Sequence, residues 1–131
     1  MFAQPRGIQA YQQVQTESRS PLELVVMLYD GALVSLRQAN EAAARGDLRQ
    51  RGASVSRVLS IVGALRETLD LTEGGDVAAE LDRLYDYVTC RLLDVTARHD
   101  AAALAEVQVL LSGVRDAWHQ IASRPQPTVS Q

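Results

Sequence analysis

Ser20-Pro21-Leu22-Glu23-Leu24-Val25-Val26-Met27-Leu28-Tyr29 is the stretch that decides the fold. Ser20 is a capping residue. Pro21 suits the first helical position, where no amide hydrogen is needed, and Glu23 stands where a capping box wants its acid. Leu22, Val25, Val26, Tyr29, Leu33 and Leu36 then recur at helical spacing, with Leu24 and Leu28 widening the stripe. The pattern runs on through the alanine-rich segment Ala39–Ala44. Gly46 ends it, because glycine takes the left-handed conformation of a helix terminus at no steric cost.

Three further helices follow. Asp47 caps a second, with Val55, Val58, Leu59, Val62, Leu65 and Leu69 on one face. Thr72-Glu73-Gly74-Gly75 breaks the pattern, and Asp76 is the expected cap of a third carrying Val77, Leu81, Leu84, Tyr85, Val88, Leu92 and Val95. After a tight connection at Arg98-His99-Asp100, a fourth carries Leu104, Val107, Leu111, Val114, Trp118 and Ile121, and Ser123-Arg124-Pro125 stops it. The helices should be roughly 22–25 residues long, at about 1.5 Å per residue. Links of two to four residues between them force antiparallel neighbours. The expected fold is all-α: an antiparallel up-down four-helix bundle over 20–123, with a helical arm at 1–19 and a disordered tail at 124–131. No segment alternates with the period of a strand.

Composition narrows the function. The chain has 131 residues, 47% hydrophobic, with a formal net charge of −3. That suits one packed domain and supplies no basic footprint for nucleic acid. All thirteen cationic residues are arginine, so Schiff-base and P-loop lysine chemistry are excluded. The single cysteine, Cys90, excludes an internal disulfide; its place on the flank of the third helix points to partial burial. No secretory signal opens the sequence and no apolar run is long enough for a bilayer, so a cytoplasmic protein without membrane insertion is expected. Asp116-x-x-His119 is the nearest approach to the paired carboxylate–histidine motifs of metal-binding bundles, and it occurs once. No cofactor, metal or catalytic residue is expected, and the protein reads as a binder rather than an enzyme. The alternative is a histidine phosphotransfer module of the same fold. It needs an exposed mid-helix histidine, whereas His99 falls in a turn and His119 near a helix end.

Two features speak for binding. Ile8, Tyr11 and Val14 form an apolar stripe in a polar, glutamine-rich arm ahead of the capped helix. The first helix also carries more apolar residues than a core-facing stripe of little more than ~100° accommodates. The surplus should face a groove, the arm or a partner. The arm then reads as a removable cover.

The residues Tyr11-Gln12-Gln13-Val14-Gln15, followed by Ser20-Pro21 and Leu24-Val25 and then Met27-Leu28-Tyr29-Asp30-Gly31-Ala32, resemble the opening of the FliS family of flagellin export chaperones. Gly74-Gly75-Asp76-Val77-Ala78, Leu84-Tyr85-Asp86-Tyr87-Val88 and Arg91-Leu92 are similar to its third helix, and Val114-Arg115-Asp116-Ala117-Trp118 to its C-terminal end. The resemblance spans about residues 8–120 in order. It implies a bacterial cytoplasmic chaperone that binds the disordered C-terminal segment of flagellin, prevents premature polymerisation and delivers the subunit to a flagellar export-gate protein. It also implies that the N-terminal segment covers an apolar surface which flagellin takes over. The expected partner-binding residues are Ile8, Tyr11 and Val14 in the cover, and Leu24, Leu28, Tyr29, Tyr85, Tyr87, Val88 and Trp118 at the groove. For Leu28 and Val88 the spacing favours core. The lack of lysine and the single Tyr11 depart from the family pattern and put lysine-dependent partner contacts in doubt. A homodimer stays open, since an arm that packs on its own bundle could equally pack on a twin.

Overall fold

The computed structural model describes residues 20–124, and those residues form four helices and no strand. They are α1 (Pro21–Ala44), α2 (Leu48–Glu67), α3 (Gly75–Arg98) and α4 (Ala101–Ser123). The expected arm, with Ile8, Tyr11 and Val14, and the tail beyond residue 124 lie outside the described residues.

The boundaries follow from local chemistry. The Ser20 hydroxyl accepts the Glu23 N–H at 3.1 Å, and Pro21 takes the first helical position. At the far end of α1, Gly46 adopts φ +73° while the Asp47 N–H returns to the Ala42 carbonyl at 2.9 Å. This closes a Schellman turn that satisfies the last carbonyls. The Asp47 carboxylate then accepts from Gln50 and starts α2. Asp100 caps α4 in the same way, accepting from Ala103. The link before it turns on His99, held at φ 53°.

The third helix begins differently from expectation. Gly74, not Asp76, is its N-cap, and Asp76 falls in the first turn, beside the positive end of the helix dipole. A carboxylate is the better capping group, which points to Asp76 in the sequence, but the loop leaves room only for glycine at the cap. Asp70 organises that loop: its carboxylate accepts from Thr72 and Glu73, and its carbonyl from Gly74 at 2.7 Å. A Cβ on Gly74 would sit 2.6 Å from the Asp70 carbonyl oxygen and 2.7 Å from the Ala78 Cβ. Gly74→Ala should therefore cost about 1–3 kcal/mol, the usual penalty of overpacking, read by urea unfolding. The loop is also longer than expected. Helix α2 stops at Glu67 after 20 residues, Leu69 lies beyond its end, and residues 68–74 make the connection.

Around the bundle, α1 packs on α2 and α4, and α3 packs on α2 and α4; the diagonal pairs do not approach. The α1–α2 pair is the most extensive. Ala32, Ala39 and Ser54, all wholly buried, let helices come close there. Leu36, Val58, Val88, Leu92, Val107 and Leu111 fill the centre without exposure. Most of the apolar width of α1 is thereby used in the core, and the surplus expected to face a groove is found in Leu22 and Val25, which line the cavity described below, with Met27 and Val34 exposed. Leu24, Leu28 and Val26 are buried as well as Tyr29, Val25 is half-buried, and Met27 is exposed. A helix touching two neighbours buries a wider arc than one facing a single core.

Arginines form ion pairs across three of the four seams. Arg115 meets Asp30 between α4 and α1 at 2.7 Å, and Arg66 meets Asp82 between α2 and α3 at 2.6 Å. Arg91 gathers Glu106, Asp100 and Asp94 at the α3–α4 seam. The Tyr87 hydroxyl and then Arg91 hold the Glu106 carboxyl below the usual carboxylate range, and Arg91 does the same for Asp100. A depressed carboxyl contributes stability above its unfolded pKa, about 3.9–4.3 for these types. That contribution is lost as pH falls through the lower folded value. Arg91→Gln should therefore flatten the acid limb of the Tm-against-pH curve below about pH 4 and lower the neutral Tm. An unchanged acid limb would show that the seam carries no linked protons.

Candidate functional site

Among the described residues, one end of the bundle is open. The first turns of α1 and α3 meet the last turns of α2 and α4 there, and because α2 ends early, apolar positions of α1 and α3 have no residue opposite. They line a cavity of about 280 Å³. Leu22 and Val25 come from α1, Val77, Leu81 and Tyr85 from α3, Leu69 from the α2–α3 loop and Trp118 from α4. Val77 shows the effect most clearly. It continues the core-facing stripe of α3, yet it is 64% exposed, contrary to its expected place in the core. The loop 68–74, pinned by Asp70, forms one wall.

Beneath the cavity lies a buried polar contact. The hydroxyls of Tyr29 and Tyr85 bond at 2.6 Å, with ring centroids 6.4 Å apart and planes tilted by 47°. The two residues sit on α1 and α3, the diagonal helices whose backbones do not approach, so the pair bridges the core directly. Burial pushes both phenols up, and both stay protonated at any working pH. The Trp118 Nε1–H approaches the Tyr29 hydroxyl and opposes that rise, and it makes no hydrogen bond among the described residues.

The expected partner-binding residues divide into three groups. Tyr85 and Trp118 line the cavity. Leu24, Leu28, Tyr29 and Val88 are buried, none more than 8% exposed, and lie outside its lining. Tyr87 is 45% exposed on the α3–α4 seam, donating to Glu106 at 2.6 Å. Leu22 and Val25 belong to the apolar surplus of α1 expected at a groove, whereas Pro21, Leu69, Val77 and Leu81 are lining residues that the sequence does not single out. The signal was position: Leu22 and Val77 are core-stripe residues in the first turn of their helices, beyond the reach of any opposing turn. Cys90 is exposed rather than partly buried, because it points away from both neighbours of α3.

Among the described residues no group of three or more His, Cys, Asp or Glu side chains could hold a metal ion. No described helix is long and apolar enough to cross a membrane. His119 is exposed in the last two turns of α4, and His99 occupies the α3–α4 turn.

The four-helix ring, the Gly74 loop and the open apolar end fall within residues 4–125, the span matched by the family model described as flagellar protein FliS. The chain belongs to the FliS family. It is 41% identical over 123 residues to the flagellar secretion chaperone FliS of Salmonella typhimurium, covering 90% of this chain and 91% of that one. The flagellar secretion chaperone FliSB of Pseudomonas aeruginosa is 36% identical over 121 residues, covering 89% of this chain and 96% of the relative. FliS of Bacillus subtilis is 32% identical over 111 residues, covering 85% and 82%. The phosphotransfer alternative is not favoured by this membership. As a FliS family member the chain is a flagellar secretion chaperone by class, and its action is on another protein.

Proposed function

We propose that the protein binds the C-terminal segment of flagellin in the bacterial cytoplasm, keeps it from polymerising and hands it to the flagellar export-gate protein, without catalysing a reaction. The observation that carries this reading is the open cavity lined by Leu22, Val25, Val77, Leu81 and Trp118 in a chain of this family. An open apolar pocket of this kind is a place for a partner's apolar side chain. A disordered segment that folds as it binds lays amphipathic helices into such grooves, and the cost of its ordering keeps affinity moderate enough for release.

The stripe Ile8, Tyr11 and Val14 competes for the same surface in the free protein. Its attachment point supports this, since Pro21 and Leu22, just after the arm, are themselves part of the cavity lining. Deleting residues 1–17 should leave the helical circular dichroism intact and raise the fluorescence of a hydrophobic dye. An unchanged dye signal would remove the cover. A cover that docks on a twin would instead show as a dimer in sedimentation.

Titration calorimetry with a flagellin C-terminal peptide tests the main reading. Binding should release heat with a clearly negative heat-capacity change, the mark of apolar burial. No binding at tens of micromolar, an affinity of roughly −6 kcal/mol or weaker, would overturn it.

A further inference from the structure

The charge of the bundle is divided between its ends. Residues 67–86, which build the α2–α3 loop and the first half of α3, hold seven carboxylates against one arginine, Arg83. Residues 37–57, at the opposite end, hold five arginines and two carboxylates. The acidic end is the open end. Asp70 lines the cavity, and Glu73 and Asp76 stand beside the lining residues Gly74 and Val77. Glu67, Glu73 and Asp76 are exposed and make no ion pair among the described residues.

Helix stability does not account for this placement. Asp76 complements the N-terminal dipole of α3, but Glu67 is the last residue of α2, where a carboxylate faces the negative end of the dipole. Glu80 pairs with Arg83 one turn on within α3, so the unpaired charge of the mouth is that of Glu67, Glu73 and Asp76. Low-dielectric walls beside a mouth of one charge sign focus its field on an approaching ligand.

We propose that this acidic mouth selects, among apolar segments, those whose anchor residues are bracketed by arginine or lysine; the inference rests on the reading of the cavity as the seat of a partner's apolar segment. The guest's apolar side chains fill the space between Leu22, Val77 and Trp118, and its flanking cations lie over Glu67, Glu73 and Asp76. Arg6 and Arg19 bracket the stripe of residues 8–14 in the same manner, so the chain's own arm meets the requirement it sets for a guest. Specificity and association rate come from the rim, and the apolar floor supplies the depth of binding.

The test uses the full chain and three tryptophan-free synthetic amphipathic peptides. The first has leucine anchors and arginine flanks, the second the same anchors with glutamine flanks, and the third serine anchors with arginine flanks. Trp118 is the single tryptophan of the chain and lines the cavity, so its emission reports occupancy there. The first peptide should bind about tenfold more tightly than the second at 20 mM salt and within about twofold at 0.5 M, where the Debye length has shrunk to a few ångströms. The third should leave Trp118 emission unchanged. The triple variant Glu67→Gln, Glu73→Gln, Asp76→Asn should remove the preference while keeping the second peptide's affinity. Should that variant fold poorly, the salt series on the parent decides alone. Equal binding of the first two peptides overturns the selectivity and leaves the cavity reading in place. Binding of the third as tight as the first reduces the mouth to a patch that collects cations, and overturns the inference. If none binds while the flagellin peptide does, the inference falls and the proposed function stands.

Discussion

Val77→Asp should weaken binding of the flagellin C-terminal segment about 100-fold or more, roughly 2.7 kcal/mol, while the bundle keeps its fold. The side chain is 64% exposed in the free protein, so a carboxylate there stays hydrated until a guest arrives. A guest that fills the cavity must then strip that water without offering a partner, which is the costly way to bury a charge. Val109 is the matched control: at 72% exposed it is more open than Val77, yet it lies outside the cavity lining. Val109→Asp should bind as the parent does. Calorimetry on the two variants decides the matter; equal losses would place the contact surface elsewhere, and no loss in either would empty the cavity of its role.

The second large effect concerns the tyrosine pair. Removing either hydroxyl strands the other in a dry interior. Tyr29→Phe and Tyr85→Phe should each therefore cost about 1–3 kcal/mol of unfolding free energy, the penalty of a buried unpaired polar group. The double Phe variant should come back close to the parent, because both hydroxyls are then gone and the rings keep their shape. Urea unfolding of the four proteins forms a complete double-mutant cycle. Additive losses would mean that the 2.6 Å contact carries no coupling.

The fold was legible because its signals are local. Ser20, Pro21, Gly46 and Asp47 do in the structure what their chemistry dictates, and the stripes of α1 to α4 meet as periodicity requires. Two local readings failed where tertiary context prevailed. Asp76 lost the cap to Gly74 because the Asp70 loop passes too close for any Cβ. Leu69 fell outside α2 because that helix ends at Glu67 and the chain turns into the Asp70 loop, a course that helical spacing does not record. The site was harder to read than the fold. Tyr85 and Trp118 were reachable as large amphipathic side chains, but the rest of the lining comes from core-type residues that happen to sit past the end of their opposing helix. Only the length of α2 and the course of residues 68–74 reveal that, and both depend on the loop.

Tyr85 belongs to two systems at once. Its ring forms part of the cavity wall, and its hydroxyl is the strut that reaches α1 through Tyr29. A guest that presses on that ring loads the strut and stiffens the centre of the bundle, one to two turns further along α1 than the lining residue Val25. Occupancy should thus be audible at a distance: backbone amides around Tyr29 and Ala32, deep in α1, should exchange with solvent more slowly once the open end is filled. The Phe–Phe variant, with the strut cut but the wall intact, should bind the guest and fall silent.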